Sequence, residues 1–302
     1  MTILEAKKFG KKCLTKSLSP LLDTELLLGA VLKKDKTFLL FNPQKNISEE
    51  EENLFREYVK VRQTGLPVAY ILGQKEFFGY NFFVNQNVLI PKADTEILVE
   101  RAYEILEEKV FSNHILTILD MCTGSGCVGL SLYKYALQNH LFNKENMPRL
   151  VLADISQGAL EVAQKNAENL LGDFREKISF VRTNLFQMIH GSFDLIVSNP
   201  PYIPGEEARE LLKDGRGEPL LALDGDVDME GNSTKDSGGL SIMKNLVFQA
   251  YSFLSPGGAL LCESGEYNAQ QTESIFKEAG LSKTQIFTDL EGQLRVTKGI
   301  KI

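Results

Sequence analysis

Apolar positions in the first 70 residues recur at helical spacing. Leu22, Leu26, Leu27, Ala30 and Val31 form one such series, and Leu54, Phe55, Tyr58 and Val59 with Arg62 form another. Ser19-Pro20 reads as an N-cap followed by proline at the first helical position. Ser48 and Glu51 have capping-box spacing and open the second series. These signals predict a small helical bundle. From 71 to 90 the pattern changes to aromatic, strand-like runs on either side of Gly79-Tyr80-Asn81, which predicts a β-hairpin. Beyond 91, helical and strand-like stretches alternate. A helix is expected over about 94–109. Strands are expected at Ile115–Asp120, Leu150–Asp154, Ile178–Arg182, Phe193–Ser198, Ala259–Glu263, Thr284–Phe287 and Leu294–Lys298. The clearest intervening helix is 157–171, with Leu160, Ala163, Ala167 and Leu170 on one face and Gly172 as its stop.

Strands separated by helices imply an α/β fold with a doubly wound, largely parallel sheet, in which ligands bind beyond the carboxyl ends of the strands. The expected organisation is therefore a helical domain over 1–70, a hairpin linker over 71–90 and an α/β domain over 91–302. Residues 203–239 are rich in Gly, Asp and Glu and poor in apolar residues outside Leu220–Leu223, so a long mobile loop beside the site is expected there.

Composition narrows the function classes. The chain has 302 residues, 43% of them hydrophobic, enough for a sizeable core. A net charge of −7 is the wrong sign for a broad nucleic-acid surface. The lysines 7, 8, 11, 12 and 16 crowd one stretch and read as a solvated helix face. The four cysteines, 13, 122, 127 and 262, show neither a disulfide framework nor metal spacing, and the three histidines do not complete a ligand set. Reduced thiols and a cytoplasmic setting are expected, with no metal. The opening MTILEAKKFGKKCL lacks the apolar core of a signal peptide, and no apolar run approaches the roughly 18 residues of a membrane span.

Two segments carry chemistry. In ILDMCTGSGCVGL, Asp120 ends a strand and Gly124, Gly126 and Gly129 follow, matching a dinucleotide fingerprint that many nucleotide folds share. The next strand ends at Asp154, whose carboxylate can accept hydrogen bonds from both ribose hydroxyls of an adenosine. Together they indicate an adenosine-type cofactor, NAD or S-adenosyl-L-methionine.

The second segment, FDLIVSNPPYIP, separates those two cofactors. It places Asn199-Pro200-Pro201-Tyr202 at the end of the fourth strand, counting the strand before the glycine loop as the first. The lone pair of an amide or aromatic NH2 is delocalised and attacks a sulfonium methyl poorly. The Asn199 side-chain oxygen and the Pro200 carbonyl can accept from both of its N–H groups. They thereby orient the nitrogen and stabilise the charge that grows on methyl transfer, an effect worth roughly 3–4 kcal/mol per group. Pro200 and Pro201 stiffen the corner, and Tyr202 offers a flat face for stacking. No base is required before transfer. A dehydrogenase would have no use for this tetrapeptide.

The chain resembles the release factor glutamine methyltransferases, the HemK or PrmC family. The resemblance is carried by GLPVAYILGQKEFFGYNFFVNQNVLIPKADTEILVE (65–100), ILDMCTGSGC, VSNPPYIP, EPLLALDG (218–225) and TDLEGQLRV (288–296), and extends over nearly the whole chain. It implies a class I methyltransferase domain, Rossmann-like and doubly wound, joined by the hairpin to a helical domain that docks the protein substrate. It also implies methyl transfer from S-adenosyl-L-methionine, leaving S-adenosyl-L-homocysteine, to the glutamine of the GGQ motif in class 1 peptide chain release factors, and so a role in translation termination. Implied cofactor contacts are Cys122, Thr123, Gly124, Ser125 and Gly126, then Asp154, Asn184, Leu185 and Asn199. Implied substrate contacts are Asn199, Pro200, Pro201 and Tyr202, with Asn199, Pro200 and Tyr202 catalytic.

Some positions depart from the family pattern. Cys122 stands where glycine is usual, Lys92, Ala93 and Asp94 replace Arg, Pro and Glu, and Asn184 replaces Asp. Residues 226–238 look like an insertion. Its Asp224-x-Asp226-x-Asp228 suggests a calcium loop, but Met229 and Lys235 occupy the positions that would have to be Gly and Glu. The alternative function is an amino-methyltransferase acting on adenine or guanine, which would use the same tetrapeptide on a flipped base. The acidic charge and the absence of a basic, aromatic-rich recognition domain speak against it.

Overall fold

The computed structural model describes all residues except 113, 144 and 235–237, and the side chain of 173. The chain divides into two compact units. One is Met1–Gln74 together with Leu211–Gly217; the other is Lys75–Glu210 together with Glu218–Ile302.

The first unit is helical: α1 (Ile3–Cys13), α2 (Pro20–Leu32), α3 (Lys36–Phe41), α4 (Glu49–Arg62) and α5 (Val68–Leu72). Thr2 and Ser48 start α1 and α4 with complete capping boxes. Ser19 does not cap α2 with its side chain; Pro20 alone marks that start. Ile3, Ala6, Leu27, Leu28, Leu39, Phe55 and Val59 form the core. The buried face of α2 is rotated from the one its apolar spacing suggests. Leu22 and Leu26 remain about half exposed, while Asp23 and Glu25 are buried. Ion pairs account for this. Asp23 accepts from Arg62 Nε at 2.8 Å, and Glu25 meets Lys7 at 2.7 Å and Lys36 at 3.2 Å. Buried acids with such partners are tolerated inside. Of the amino-terminal lysines, 8, 11, 12 and 16 are exposed, and Lys7 is the half-buried partner of Glu25.

The hairpin pairs β1 (Gln74–Phe77) with β2 (Tyr80–Phe83). Its turn is Phe78-Gly79, one residue earlier than the sequence suggested, and both residues have positive φ, 52° and 75°. Two left-handed residues at the centre match the twist of a two-residue hairpin turn.

The second unit continues with α6 (Glu96–Lys109), β3 (Thr117–Met121), α7 (Cys127–Gln138), β4 (Arg149–Asp154), α8 (Gln157–Leu171), β5 (Ile178–Arg182), β6 (Phe193–Ser198), α9 (Gly205–Leu211), α10 (Ser241–Phe253), β7 (Leu254–Glu263), α11 (Ala269–Glu278), β8 (Ser282–Thr288) and β9 (Leu294–Ile300). The sheet order is β5-β4-β3-β6-β7-β9-β8. Strands β5 through β7 in that order are parallel, and β9 is antiparallel to both of its neighbours. Side chains alternate between the two faces, as strand geometry requires. Ile118, Leu150, Leu152, Leu195, Val197 and Leu261 pack with α6, α7 and α8. Leu119, Met121, Ala153, Ile196, Leu260 and Cys262 pack with α10 and α11.

From β3 the chain winds outward through β4 to β5, then returns to place β6 on the other side of β3. The order therefore reverses between β3 and β6. A crevice opens beyond the carboxyl ends of strands at such a reversal. Both chemistry-bearing segments emerge there: the glycine loop from β3 and Asn199 from β6. Met121 and Ser198 are register partners, and Ser198 Oγ donates to the Met121 carbonyl at 2.6 Å, tying the two strand ends together.

Residues 203–239 contain α9 and two 3-10 turns, Leu212–Asp214 and Leu220–Ala222, rather than a structureless loop. The acidic residues that made it look solvated bind backbone instead. Asp226 accepts from Gly205 N at 3.1 Å and Gly239 N at 2.7 Å, and Asp224 accepts from Asp226 N at 2.9 Å. Asp228 accepts from the backbone of Glu230 and Asn232. The carboxylates of the supposed calcium loop are thus engaged by their own chain; Lys235 lies outside the described residues.

Replacing Ser48 by Ala removes the oxygen that caps α4 and should lower stability by about 1 kcal/mol in urea unfolding, whereas Ser48→Asp should retain most of it.

Candidate active site

The glycine loop is held from below by Asp120. This carboxyl is buried at the end of β3, where its Oδ2 accepts from Thr123 Oγ1 at 2.6 Å and Gly129 N at 3.0 Å. Burial pushes it up to about 7. Cys122, the residue in place of a usual glycine, adopts φ 59°, so it takes the left-handed conformation despite its side chain. Gly124 also has positive φ, and a Cβ built on it would meet nothing within 4 Å; it faces open space. Gly126 differs. A Cβ there would meet Leu130 Cδ1 at 2.8 Å and Ala163 at 3.3 Å, so this glycine permits the turn and close packing of α7 on α8.

At the end of β4, Asp154 Oδ2 accepts from Gly124 N and Oδ1 from Ser156 N, both at 2.9 Å. An ionised carboxylate has about four acceptor sites, so capacity for two hydroxyl donors remains. Burial raises the Asp154 carboxyl above its ordinary value, with the backbone donors opposing.

These groups line a cavity of about 350 Å³, within the range of small-molecule sites. Of the cofactor contacts expected from the sequence, Cys122 through Ser125, Asp154, Asn184, Leu185 and Asn199 are on its wall. Gly126 is not; it sits behind the wall for the packing reason just given. Pro201 of the tetrapeptide also lines it, while Pro200 and Tyr202 do not.

The corner after β6 is rigidly held. Asn199 Nδ2 donates to Thr95 Oγ1 at 3.2 Å. Among the described residues no protein donor engages its Oδ1, which is left as an acceptor. Tyr202 donates its hydroxyl to Glu263 Oε1 at 3.2 Å, and its carbonyl accepts from Tyr267 Oη and Asn268 Nδ2. Burial, and then the adjacent Glu263 charge, raise the Tyr202 phenol well above its ordinary value, so it stays neutral. Gly225, the glycine of EPLLALDG, lies against this corner. A Cβ there would approach the Gly239 carbonyl to 2.1 Å and the Pro201 carbonyl to 2.8 Å, which only glycine avoids.

Sequence reasoning missed the residues behind the corner. Thr95 accepts from Asn199 and lies beside the carboxyl of Glu263, which accepts from Tyr202. Glu263 is buried at the end of β7, and Arg295 joins Asp289 at 3.0 Å and Asp94 at 3.4 Å. Lys92 reaches Glu218 at 2.9 Å, so both charged residues of the 92–94 segment are ion-paired. Buried Asn166 ties the glycine loop to β2, donating to Ser125 O and accepting from Phe83 N. Glu263 did leave a signal: an acid closing the apolar run ALLCE, at a depth where strands carry apolar residues.

Residues 5–73 match the model of the PrmC N-terminal domain, and residues 95–216 match that of the methyltransferase small domain. A release factor glutamine methyltransferase of Leptospira interrogans is 38% identical, with 91% of this chain and 88% of that one aligned. Another, from Borreliella burgdorferi, is 33% identical over 89% and 85%. A third, from Buchnera aphidicola, is 33% identical over 99% of both chains. The chain belongs to the release factor glutamine methyltransferase family. As a family member it is a methyltransferase that uses S-adenosyl-L-methionine. The cavity fits that cofactor: Gly124 opens onto free space at the loop, and Asp154 keeps acceptor capacity at the neighbouring strand end.

Burial pushes Glu263 up to about 7 from an ordinary 4.5. Between those values the folded chain keeps a proton that the unfolded chain has released, so this group makes stability fall as pH rises. Glu263→Gln should therefore show a shallower loss of Tm than the parent when pH is raised from about 5 to about 7.5. Parallel slopes would assign the buried charge to another group.

Proposed function

We propose that this enzyme transfers the methyl group of S-adenosyl-L-methionine to the side-chain amide nitrogen of the glutamine in the GGQ motif of class 1 peptide chain release factors. The observation that carries the reading is the Asn199 amide. Its NH2 is committed to Thr95 and its oxygen is left as an acceptor on the cavity wall. The names of the relatives supply the protein substrate.

When bound, the cofactor supplies an electrophilic sulfonium methyl. The glycine loop from Cys122 to Ser125 would hold one end of the molecule, Asp154 its ribose hydroxyls, and Asn184 and Leu185 the adenine end. Asn199 Oδ1 accepts one N–H of the substrate carboxamide, and the Pro200 carbonyl accepts the other. The nitrogen lone pair is thereby aimed along the transfer axis, and the positive charge that develops there meets two fixed dipoles. Tyr202 offers its ring to the planar amide, with the hydroxyl secured by Glu263. Pro200 and Tyr202 lie off the cofactor cavity, and in this reading they meet the glutamine outside it. After transfer the charged nitrogen loses its proton to solvent, so no side-chain base is assigned.

We assign the helical region 1–70 to docking of the protein substrate, 71–90 to a linker and 91–302 to catalysis. Nucleic acid is not assigned as a substrate, and the net charge of −7 supports this. We place the reaction in the cytoplasm, a setting that suits four free thiols. No helix among the described residues is long and apolar enough to cross a membrane.

Mass spectrometry of a purified release factor after incubation with enzyme and S-adenosyl-L-methionine should show one added methyl on the GGQ glutamine. Transfer to RNA or DNA with the release factor untouched would overturn the assignment. Asn199→Ala should lower kcat by about 100- to 1000-fold while changing S-adenosyl-L-homocysteine affinity by only a few fold. Thr95→Val should lower kcat more than it raises KM, and Thr95→Ser should restore it; full turnover in either Asn199→Ala or Thr95→Val would remove the mechanism.

A further inference from the structure

The loop after β5 meets the segment around Met229. Asn184 Nδ2 donates to the Met229 carbonyl at 2.6 Å. A carboxylate has no proton to donate and would set one oxygen against another.

The segment around Met229 is a formed hairpin. Val227 bridges Ser233 antiparallel. Asp228 N donates to Asn232 O at 2.9 Å, and the Asp228 carboxylate accepts from Glu230 N and Asn232 N. Thr234 N closes the base onto Asp226 O at 2.8 Å. Val227 through Gly231 line the same cavity as Asp154 and Asn184. Met229 packs against the cluster that includes Met243 and Leu246 of α10. The hairpin thus forms one wall of the cavity, and a side-chain hydrogen bond joins it to the loop after β5.

We propose that Asn184 is a positioning residue that latches the hairpin around Met229 over the adenosine end of the cofactor cavity, a part that requires the donor of an amide. The inference rests on the reading of this cavity as the cofactor site. The latch slows cofactor and product exchange, while the amide oxygen remains available to the adenine amino group.

The test uses the full chain. Hydrogen exchange across Val227–Ser233, measured without ligand, should be about tenfold faster in Asn184→Asp than in the parent, the scale of one lost hydrogen bond. Dissociation of S-adenosyl-L-homocysteine should accelerate by a similar factor. In a second variant, two glycines replace Val227–Ser233, a length that the Asp226–Thr234 hydrogen bond can close. There Asn184→Asp should no longer accelerate dissociation, since only the adenine contact remains and a carboxylate oxygen accepts at least as well as an amide oxygen. Unaltered hairpin exchange in Asn184→Asp would overturn the latch, as would an equal acceleration in the shortened background. Failure of S-adenosyl-L-homocysteine to bind the parent chain would instead overturn the cavity reading.

Discussion

In the hydrogen bond from Asn199 Nδ2 to Thr95 Oγ1 the amide gives its NH2 to Thr95 and keeps its oxygen for the cavity. Rotated by half a turn, Asn199 would present a donor where the reaction calls for an acceptor, and an incoming carboxamide NH2 would meet N–H groups. Thr95 takes this part with its hydroxyl oxygen as the acceptor, beside the carboxyl of Glu263. Glu263 in turn receives the Tyr202 hydroxyl. The buried Glu263 thus holds Tyr202 directly, and the nearby Arg295 offsets its charge.

The sheet supplies the other constraint. Reversal of strand order between β3 and β6 brings the glycine loop and the Asn199 corner side by side, and Ser198 binds the two strand ends directly. Displacing either end by one residue would invert its side chains relative to the cavity, since strands alternate faces at every step. The apolar clusters on both faces resist such a slip, because β3 and β6 each contribute alternate residues to both.

The family-like segments acquire separate physical meanings in this frame. EPLLALDG brings a glycine where backbone crowds the Pro201 carbonyl and a glutamate that meets Lys92. TDLEGQLRV brings Arg295, paired with Asp289 and Asp94. The glycine loop divides its work, with Gly124 facing open space and Gly126 packing against α8.

Much of this was legible in the chain itself. The strands Ile178–Arg182 and Phe193–Ser198 and the helix 157–171 match their sequence patterns, since periodicity and stop residues are local properties. The glycine loop, Asp154 and Asn199 were legible because their residue types are tied to backbone shape and to a particular chemistry. The buried face of α2 was not, because ion pairs to Lys7, Lys36 and Arg62 override its apolar spacing. Nor was the order within 203–239, where acids that look solvated satisfy backbone N–H groups of their own segment. Thr95 and Glu263 lie 104 and 64 positions from Asn199 in sequence. Local pattern carries element type and chemical identity, whereas the rotation of an amide depends on neighbours that only tertiary packing brings within hydrogen-bond distance.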